Sequence, residues 1–401
     1  MKESFAETIK MYDREPERDR LPRDGRLRVL FVAKDNFGCG YYRMYMPAWH
    51  LKQKSERIIP IVTIIPHKSL LEWADVIVWQ RQYRSDYLEM MMEAQRAGKV
   101  CVYDLDDNVH WVSKDNPAYV TFKINGPISH NVGVWMKQCD ERIVSTRHMK
   151  VFYDILIEKE CTVLENAVDC ARFEGLGQRR EFERTRIVWA GGYNHYDDLE
   201  VAVKPLRLLR EKYGKRIKIL LMGYDGTLRK TELPEGAESM EQAETVGWKT
   251  LDIPRDDYRD GVNVDEYYGA LWKMNGDISL GPLAVNEFNR CKSNLKWLES
   301  SMAGMAFVGT NIAPYGKSIR NGVDGFVVDN DPECWVNAVS WLIENPVQRW
   351  LMVENAQAAI RARYSWEGRW KEYEEFLCGV CNCKLKIGVE GEKRPAFAGA
   401  R

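Results

Sequence analysis

The chain has 401 residues, 45% of them hydrophobic and 29% charged, with a formal net charge of −1. That length exceeds one ordinary core and predicts two domains, and the balanced charge excludes a global basic field for nucleic acid, though not a local one. No apolar run approaches the roughly 18–20 residues that span a bilayer, and ten scattered Cys fit free thiols in a reducing cytosol, so a cytoplasmic protein without a membrane segment is expected.

Residues 1–26, MKESFAETIKMYDREPERDRLPRDGR, are charged throughout and lack the apolar centre of a signal peptide; they read as an N-terminal arm. RLRVLFVA is the first strand, followed by the Gly-containing KDNFGCGYYR and an amphipathic helix around Tyr42 to Gln53. IIPIVTII and ADVIVWQR follow as strands, then a helix near Ser85 to Ala97 and the strand KVCVYDLDD. ERIVSTRHMKVFYDIL reads as a short strand and a helix, and CTVLENAVD as the strand that closes this half, residues 27–171. Residues 172–185, RFEGLGQRREFERT, are charged, contain Gly and have no apolar period, which marks a linker.

A second series runs over residues 186–365. It comprises RIVWAGG, a helix near Asp197 to Tyr213, RIKILLMG, a long polar stretch, a helix near Val264 to Met274, and DISLGPL. NRCKSNLKWLESSMAGMAFVG then reads as a polar turn, a helix, a small-residue turn and a strand, before DGFVVD and three helical segments. The last of these, SWEGRWKEYEEFL, opens residues 366–401 and is expected to cross back to the first domain. Alternation of strand and helix from end to end is the α/β signature, with two similar halves facing each other across a cleft. In CGVCNC, Cys378, Cys381 and Cys383 offer three metal ligands with no nearby His to complete a site, so a tail without metal is expected.

Open α/β sheets bind ligands at the carboxyl ends of strands, beside helix N-termini. That rule selects Gly38–Arg43, Asp104–Trp111, Gly191–Asp197 and Leu283–Glu299. In the last of these, Lys292, Lys296 and Glu299 fall on one helical face at spacings of four and three. Cations at a helix start oppose the backbone dipole. A bound diphosphate would answer them, with Glu299 accepting from ribose hydroxyls; the alternative is a solvated charged face. Gly38-Cys39-Gly40 is no dinucleotide fingerprint, because position 43 is Arg43, and GKS at 316–318 is no P-loop, because position 311 is Asn311. Asp104, Asp106 and Asp107 gather carboxylates at a strand end, where mutual repulsion would raise a pKa towards base work; Asp107–Asn108 as a simple cap is the alternative. His195 after Gly191-Gly192 is either a surface residue or a phosphate contact. Tyr41, Tyr42, Trp111 and Trp135 are candidates for stacking or for core packing.

LGPLAVNEFNRCKSNLKWLESSMAGMAFVGTNIAPYGKSIRNGVDGFVVDNDPECWVNAV resembles the donor-binding half of GT-B glycosyltransferases related to family 4. VLENAVDCARF, RIVWAGGYNHYDDLEVAVKPLRLL and RVLFVAKDNFGCGYYRMYMPAWHL are similar to other stretches of that family, so the likeness covers most of residues 27–365. It implies a GT-B fold and transfer of a sugar from a nucleotide-sugar, UDP-sugar favoured, to a hydroxyl acceptor, without metal or resident cofactor. Glu299 matches the ribose-binding carboxylate, and Gly304 and Gly322-x-x-Gly325 match the turns. Arg290, Lys292 and Lys296 resemble a phosphate clamp, with Asn294, Gly38, Gly40, Gly191 and Gly192 in the donor set. Members with a Glu-x7-Glu pair carry a second, sugar-contacting carboxylate where this chain has Cys291.

Many related enzymes carry a His at the strand end that here holds Asp106 and Asp107, a departure from the family. By their residue type one of these two is expected to be the base of an inverting transfer, with His110 in reserve and Arg43, Asp104 and Trp111 on the acceptor side. A metal-holding Asp104-x-Asp106 pair, as in the other glycosyltransferase fold, is the competing reading. The YDLDD…KSNLKWLE pattern is also similar to bacteriophage glycosyltransferases that modify hydroxymethylated bases in DNA, which would make DNA the acceptor. A nucleotide-sugar epimerase and a non-catalytic nucleotide-sugar binder are the remaining alternatives.

Overall fold

A computed structural model describes residues 16–17, 21–114, 116–119, 121–174, 176, 183–227 and 250–391, with backbone only for Pro117 and 382–391. Most of the expected arm, much of the expected linker and the Cys383 side chain lie outside the described residues.

Twelve strands form two six-stranded sheets among the described residues. The first has the order β2-β1-β3-β4-β5-β6, from β1 (Leu27–Val32), β2 (Ile58–Thr63), β3 (Val76–Gln80), β4 (Val100–Leu105), β5 (Glu141–Val144) and β6 (Thr162–Val163). β1 pairs in parallel with β2 and β3, and β3 with β4. Every residue of β3 and β4 is buried, as expected of parallel strands covered on both faces. The second sheet has the order β12-β11-β10-β7-β8-β9, from β7 (Thr185–Gly191), β8 (Ile217–Gly223), β9 (Asp257–Asp260), β10 (Ile278–Gly281), β11 (Ala306–Thr310) and β12 (Phe326–Val328). Its pairings are parallel throughout. Counted from β7, this is the doubly wound order in which the chain reverses direction between its first and fourth strands.

The strands and most helices fall where the apolar pattern puts them. The exceptions have local causes. β9, DYRD, carries no apolar alternation because it is the edge strand of its sheet and mostly exposed. Helices Lys68–Trp73 and Pro127–Gln138 are absent from the sequence reading; the first is only six residues long, and the second follows the turn signal Asn125-Gly126-Pro127, which that reading does not use. The expected linker begins inside a short helix, Cys170–Glu174, whose Phe173 packs on Tyr268 at 4.6 Å.

By contacts the chain divides into two compact units. One comprises residues 1–104, 134–143 and 370–401, the other 105–133 and 144–369. The last helix, Trp366–Gly391, therefore joins the first unit from Trp370 onward, where Glu374 accepts from the Ser55 hydroxyl at 2.5 Å. In the second unit Ile187, Trp189, Leu206, Leu221, Ile278, Val308, Trp335 and Leu342 belong to one core.

The first unit is organised around a fully buried ion pair. Arg43 donates Nε to Asp104 Oδ1 at 2.9 Å and Nη2 to Oδ2 at 2.7 Å, and neither side chain has any exposure. Arg43 lies in a π-helical turn, Tyr41–Tyr45, that links the Gly38–Gly40 turn to helix Met46–Lys54 and is buried at every residue. Removing one member of such a pair strands the other charge in the interior, a loss of about 3–5 kcal/mol. Asp104→Ala should therefore lower the urea midpoint by that equivalent. The double replacement Arg43→Met with Asp104→Leu should recover much of it, which paired denaturation curves would check.

Candidate functional site

The switch point of the second sheet lies between β7 and β10, so ligand chemistry is to be sought beyond Gly191 and Gly281. β7 leaves the sheet through Gly191-Gly192 and a single turn, Tyr193–His195, into helix Tyr196–Tyr213. Gly191 has to be Gly: a Cβ there would lie 2.9 Å from both Lys296 Nζ and the Trp189 ring, whereas Gly192 is exposed with open space beside it.

One turn into that helix, Asp198 has no exposure and is enclosed by donors. Its Oδ1 accepts from the Ala284 N–H at 2.9 Å and from Asn289 Nδ2 at 2.6 Å. Its Oδ2 lies 2.7 Å from His195 Nδ1 and accepts from Lys292 Nζ at 3.1 Å. Burial alone would favour the neutral acid. The Lys292 charge, the His195 hydrogen bond and the Ala284 amide outweigh it and hold the carboxyl below the ordinary range. Its neighbour Asp197 goes the other way, to about 7, because it is buried beside the Asp198 charge. Burial, then the charges of Lys292 and Lys296, depress His195 to about 3.

Helix Leu295–Met302 starts later than the sequence pattern suggests. A separate short helix, Glu287–Arg290, precedes it, and Cys291, Lys292 and Ser293 form the turn between them. Lys292 is thus not on the helical face that carries Lys296 and Glu299, and its charge is answered by Asp198. Sequence spacing cannot reveal this, because the partner is 94 residues away. Arg290 is partly exposed and lies 3.3 Å from Glu287. Asn294, at the helix start, donates to Ser318 Oγ at 3.0 Å instead of capping the helix.

Lys296 points back to β7. Its ammonium donates to the Ala190 carbonyl at 2.5 Å and sits 5.2 Å from the Trp189 ring centre. Burial, with Lys292 adding to it and Glu299 opposing, brings its pKa down to about 8. Glu299, one turn on, is buried and hydrogen-bonded to the Tyr267 side chain; burial and that carboxylate push the Tyr267 phenol up. Asp198, Asn289 and Tyr267 are the members of the site that sequence reasoning missed. Asp198 reads as an ordinary acid at a helix start, and no motif marks Tyr267.

The three strand-end carboxylates separate. Asp104 belongs to the buried pair with Arg43, and its carboxyl is raised by burial, against the pull of Arg43, and not by mutual repulsion as the sequence suggested. Asp106, buried, and Asp107, half-buried, belong to the second unit, where Ser145 Oγ donates to the Asp106 carbonyl at 3.0 Å. Within that unit the loop after them is tied to the Cys291 turn: Asn108 Nδ2 donates to Cys291 Sγ at 3.4 Å, and Thr146 Oγ1 to the Cys291 carbonyl at 3.0 Å. Burial pushes the Cys291 thiol up to about 11. His110 lies 3.0 Å through Nδ1 from the Tyr153 hydroxyl, and burial lowers it to about 4. Trp111 is 47% exposed, with its ring edge-on to Phe152 at 6.4 Å.

In the first unit, Gly38 is exposed, whereas a Cβ on Gly40 would fall 1.9 Å from the Asp35 carbonyl oxygen. Asp35 accepts from the Phe37 and Gly40 amides and pairs with Arg81 at 3.0 Å. Cys378 and Cys381 lie on the last helix and neither is in a disulfide. No described helix is long and apolar enough to cross a membrane.

No protein-family model matches the chain, and no curated protein sequence matches it. Solved structures do. A glycosyltransferase from Rickettsia africae is 12% identical, with 89% of this chain and 99% of that one covered at a TM-score of 0.60. HepE of Anabaena in complex with UDP-glucose is 13% identical, with 88% and 100% covered at 0.58. Sucrose-phosphate synthase from Thermosynechococcus elongatus is 10% identical, with 89% and 100% covered at 0.59. At such identities the likeness is one of fold, and with the two parallel six-stranded sheets it gives the architecture as GT-B, built from two Rossmann-like domains.

Proposed function

We propose that this chain is a glycosyltransferase that moves a sugar from a UDP-sugar to a hydroxyl acceptor, related to family 4. The observation that carries the reading is the set of groups beyond β7 and β10: two partly buried lysines and a buried carboxylate one turn after Lys296. In this reading Glu299, aligned by Tyr267, accepts from the ribose hydroxyls. Lys296 and Lys292 face the diphosphate, with Arg290 at the rim, and Gly191 and Gly192 admit it close to the backbone. Asn294 braces the helix start, and the Gly38–Gly40 turn is a further ligand contact in the first unit. The bound UDP-glucose of HepE supports uridine as the nucleotide.

The lysines would stabilise the negative charge that grows on the departing diphosphate, in a site where burial strengthens the interaction. Asp106 or Asp107 is the base that takes the acceptor proton, in an inverting transfer. Two features support this: their place beside the Cys291 turn through Asn108, and the thiol at Cys291 where a sugar-contacting carboxylate would sit in the Glu-x7-Glu enzymes. Arg43 and Asp104 serve the acceptor side as a frame, since each is spent on the other. His110, neutral and held by Tyr153, and the exposed Trp111 complete that side.

Thermal unfolding tests the donor. UDP or a UDP-sugar at about 100 times its Kd should stabilise the wild type by roughly 2.7 kcal/mol, GDP and ADP should do less, and Glu299→Ala should abolish the shift. No shift with any nucleotide overturns the reading. The pKa of Lys296 gives the pH dependence. Below about pH 8 the ammonium is charged and the diphosphate is held; as pH rises through 8 the free protein loses that proton and affinity falls. Titration calorimetry at pH 7 and 9.5 should show this fall in the wild type and not in Lys296→Met. Once an acceptor is in hand, Asp106→Asn or Asp107→Asn should slow turnover by about 10²–10⁴ while UDP affinity stays unchanged.

A further inference from the structure

We propose that Nε2 of His195 is the hydrogen-bond acceptor for a hydroxyl of the donor sugar, an assignment that rests on the donor site proposed above. The tautomer is set by the surroundings. Nδ1 lies 2.7 Å from Asp198 Oδ2, and that carboxylate, enclosed by Lys292, Asn289 and the Ala284 amide, is held ionised and can only accept. The Lys292 ammonium, also only a donor, is 3.3 Å from Nδ1 but is served by Asp198 Oδ2 at 3.1 Å; the shorter contact to the carboxylate assigns the proton between them to Nδ1. A neutral imidazole with Nδ1–H presents Nε2 as a bare lone pair.

Three charged groups act on the ring: Asp198 and Lys292, both at Nδ1, and Lys296. The two cations, with burial, keep the ring neutral at any pH near 7. An acceptor-only nitrogen cannot bind a phosphate oxygen, which at that pH carries no proton and is itself an acceptor. It suits a hydroxyl. A phosphate contact for His195, one of the two roles its sequence position suggests, is thereby disfavoured.

The order of groups indicates which part of the donor carries the hydroxyl. Glu299 is one turn from Lys296, and both lysines act on His195, with Lys292 Nζ 3.3 Å from Nδ1. A nucleoside diphosphate sugar presents ribose, two phosphates and sugar in that same order. His195 therefore stands where the sugar begins, with a side chain one-quarter exposed. Asp198 is the positioning residue: it fixes the proton on Nδ1 and holds Lys292 against the same oxygen.

The test compares UDP with UDP-glucose, UDP-galactose and UDP-N-acetylglucosamine by titration calorimetry on the full chain. The variants are His195→Ala and His195→Gln, whose amide can donate to Asp198 and accept from a hydroxyl at once. In the wild type at least one UDP-sugar should bind more tightly than UDP. His195→Ala should shrink that advantage by roughly tenfold, the worth of one neutral hydrogen bond, leave the Kd for UDP within about twofold, and be rescued in part by His195→Gln. Three outcomes overturn the inference while leaving the donor site standing: UDP and UDP-sugar weakened equally in His195→Ala, an unchanged advantage in His195→Ala, or a wild type that binds UDP but gains nothing from any sugar. A wild type that binds none of the four ligands overturns the inference and the donor-site reading together.

Discussion

A carboxylate with no access to water has to be answered from within the protein, and Asp198 is answered four times. Two partners, Lys292 and Asn289, come from the turn and short helix ahead of Leu295–Met302. One is the backbone of Ala284 beyond β10, and one is His195, three residues back. A single buried charge thus draws together the ends of β7 and β10, the two strands between which the sheet reverses direction. Each donor removed leaves the buried charge less well compensated, so the four partners share the cost of keeping it ionised.

The same carboxylate sorts the protons around it. Asp198 stays ionised with His195 Nδ1 2.7 Å away, so Asp197 beside it is pushed towards neutrality. Lys292 is paired with Asp198 within the fold, whereas Lys296, half-buried against a carbonyl and an indole, keeps a charge that its surroundings only partly support. That difference assigns the two lysines unequal parts: Lys292 organises the site, and Lys296 is the cation whose state a ligand would change. The first unit solves a similar problem with Arg43 and Asp104, where a bidentate pair in a π-helical turn leaves no charge available to a ligand.

Much of this was legible before any coordinates. Runs such as VIVWQ and VCVYDL are apolar almost end to end, and only parallel strands covered on both faces want such sequences. DYRD could not be read, because an edge strand exposed to solvent has no apolar face to encode. Of the site, Gly191, Lys296 and Glu299 stood out through charge and spacing near a helix start. Asp198 and Tyr267 did not, because an acid at a helix N-terminus and a Tyr on an amphipathic helix are ordinary until their partners are known.

The sequence by itself determined the alternation of strands and helices, hence two parallel sheets, and it placed charged residues at the carboxyl ends of strands, because both follow from short-range periodicity. Only the tertiary structure decided which charges those residues would meet. Arg43 met Asp104 and withdrew into the core. Lys292 fell outside its expected helix and met Asp198. The reason is the range of the interaction: periodicity acts over a few residues, whereas a buried charge is settled by whichever partner the fold brings within about 3 Å.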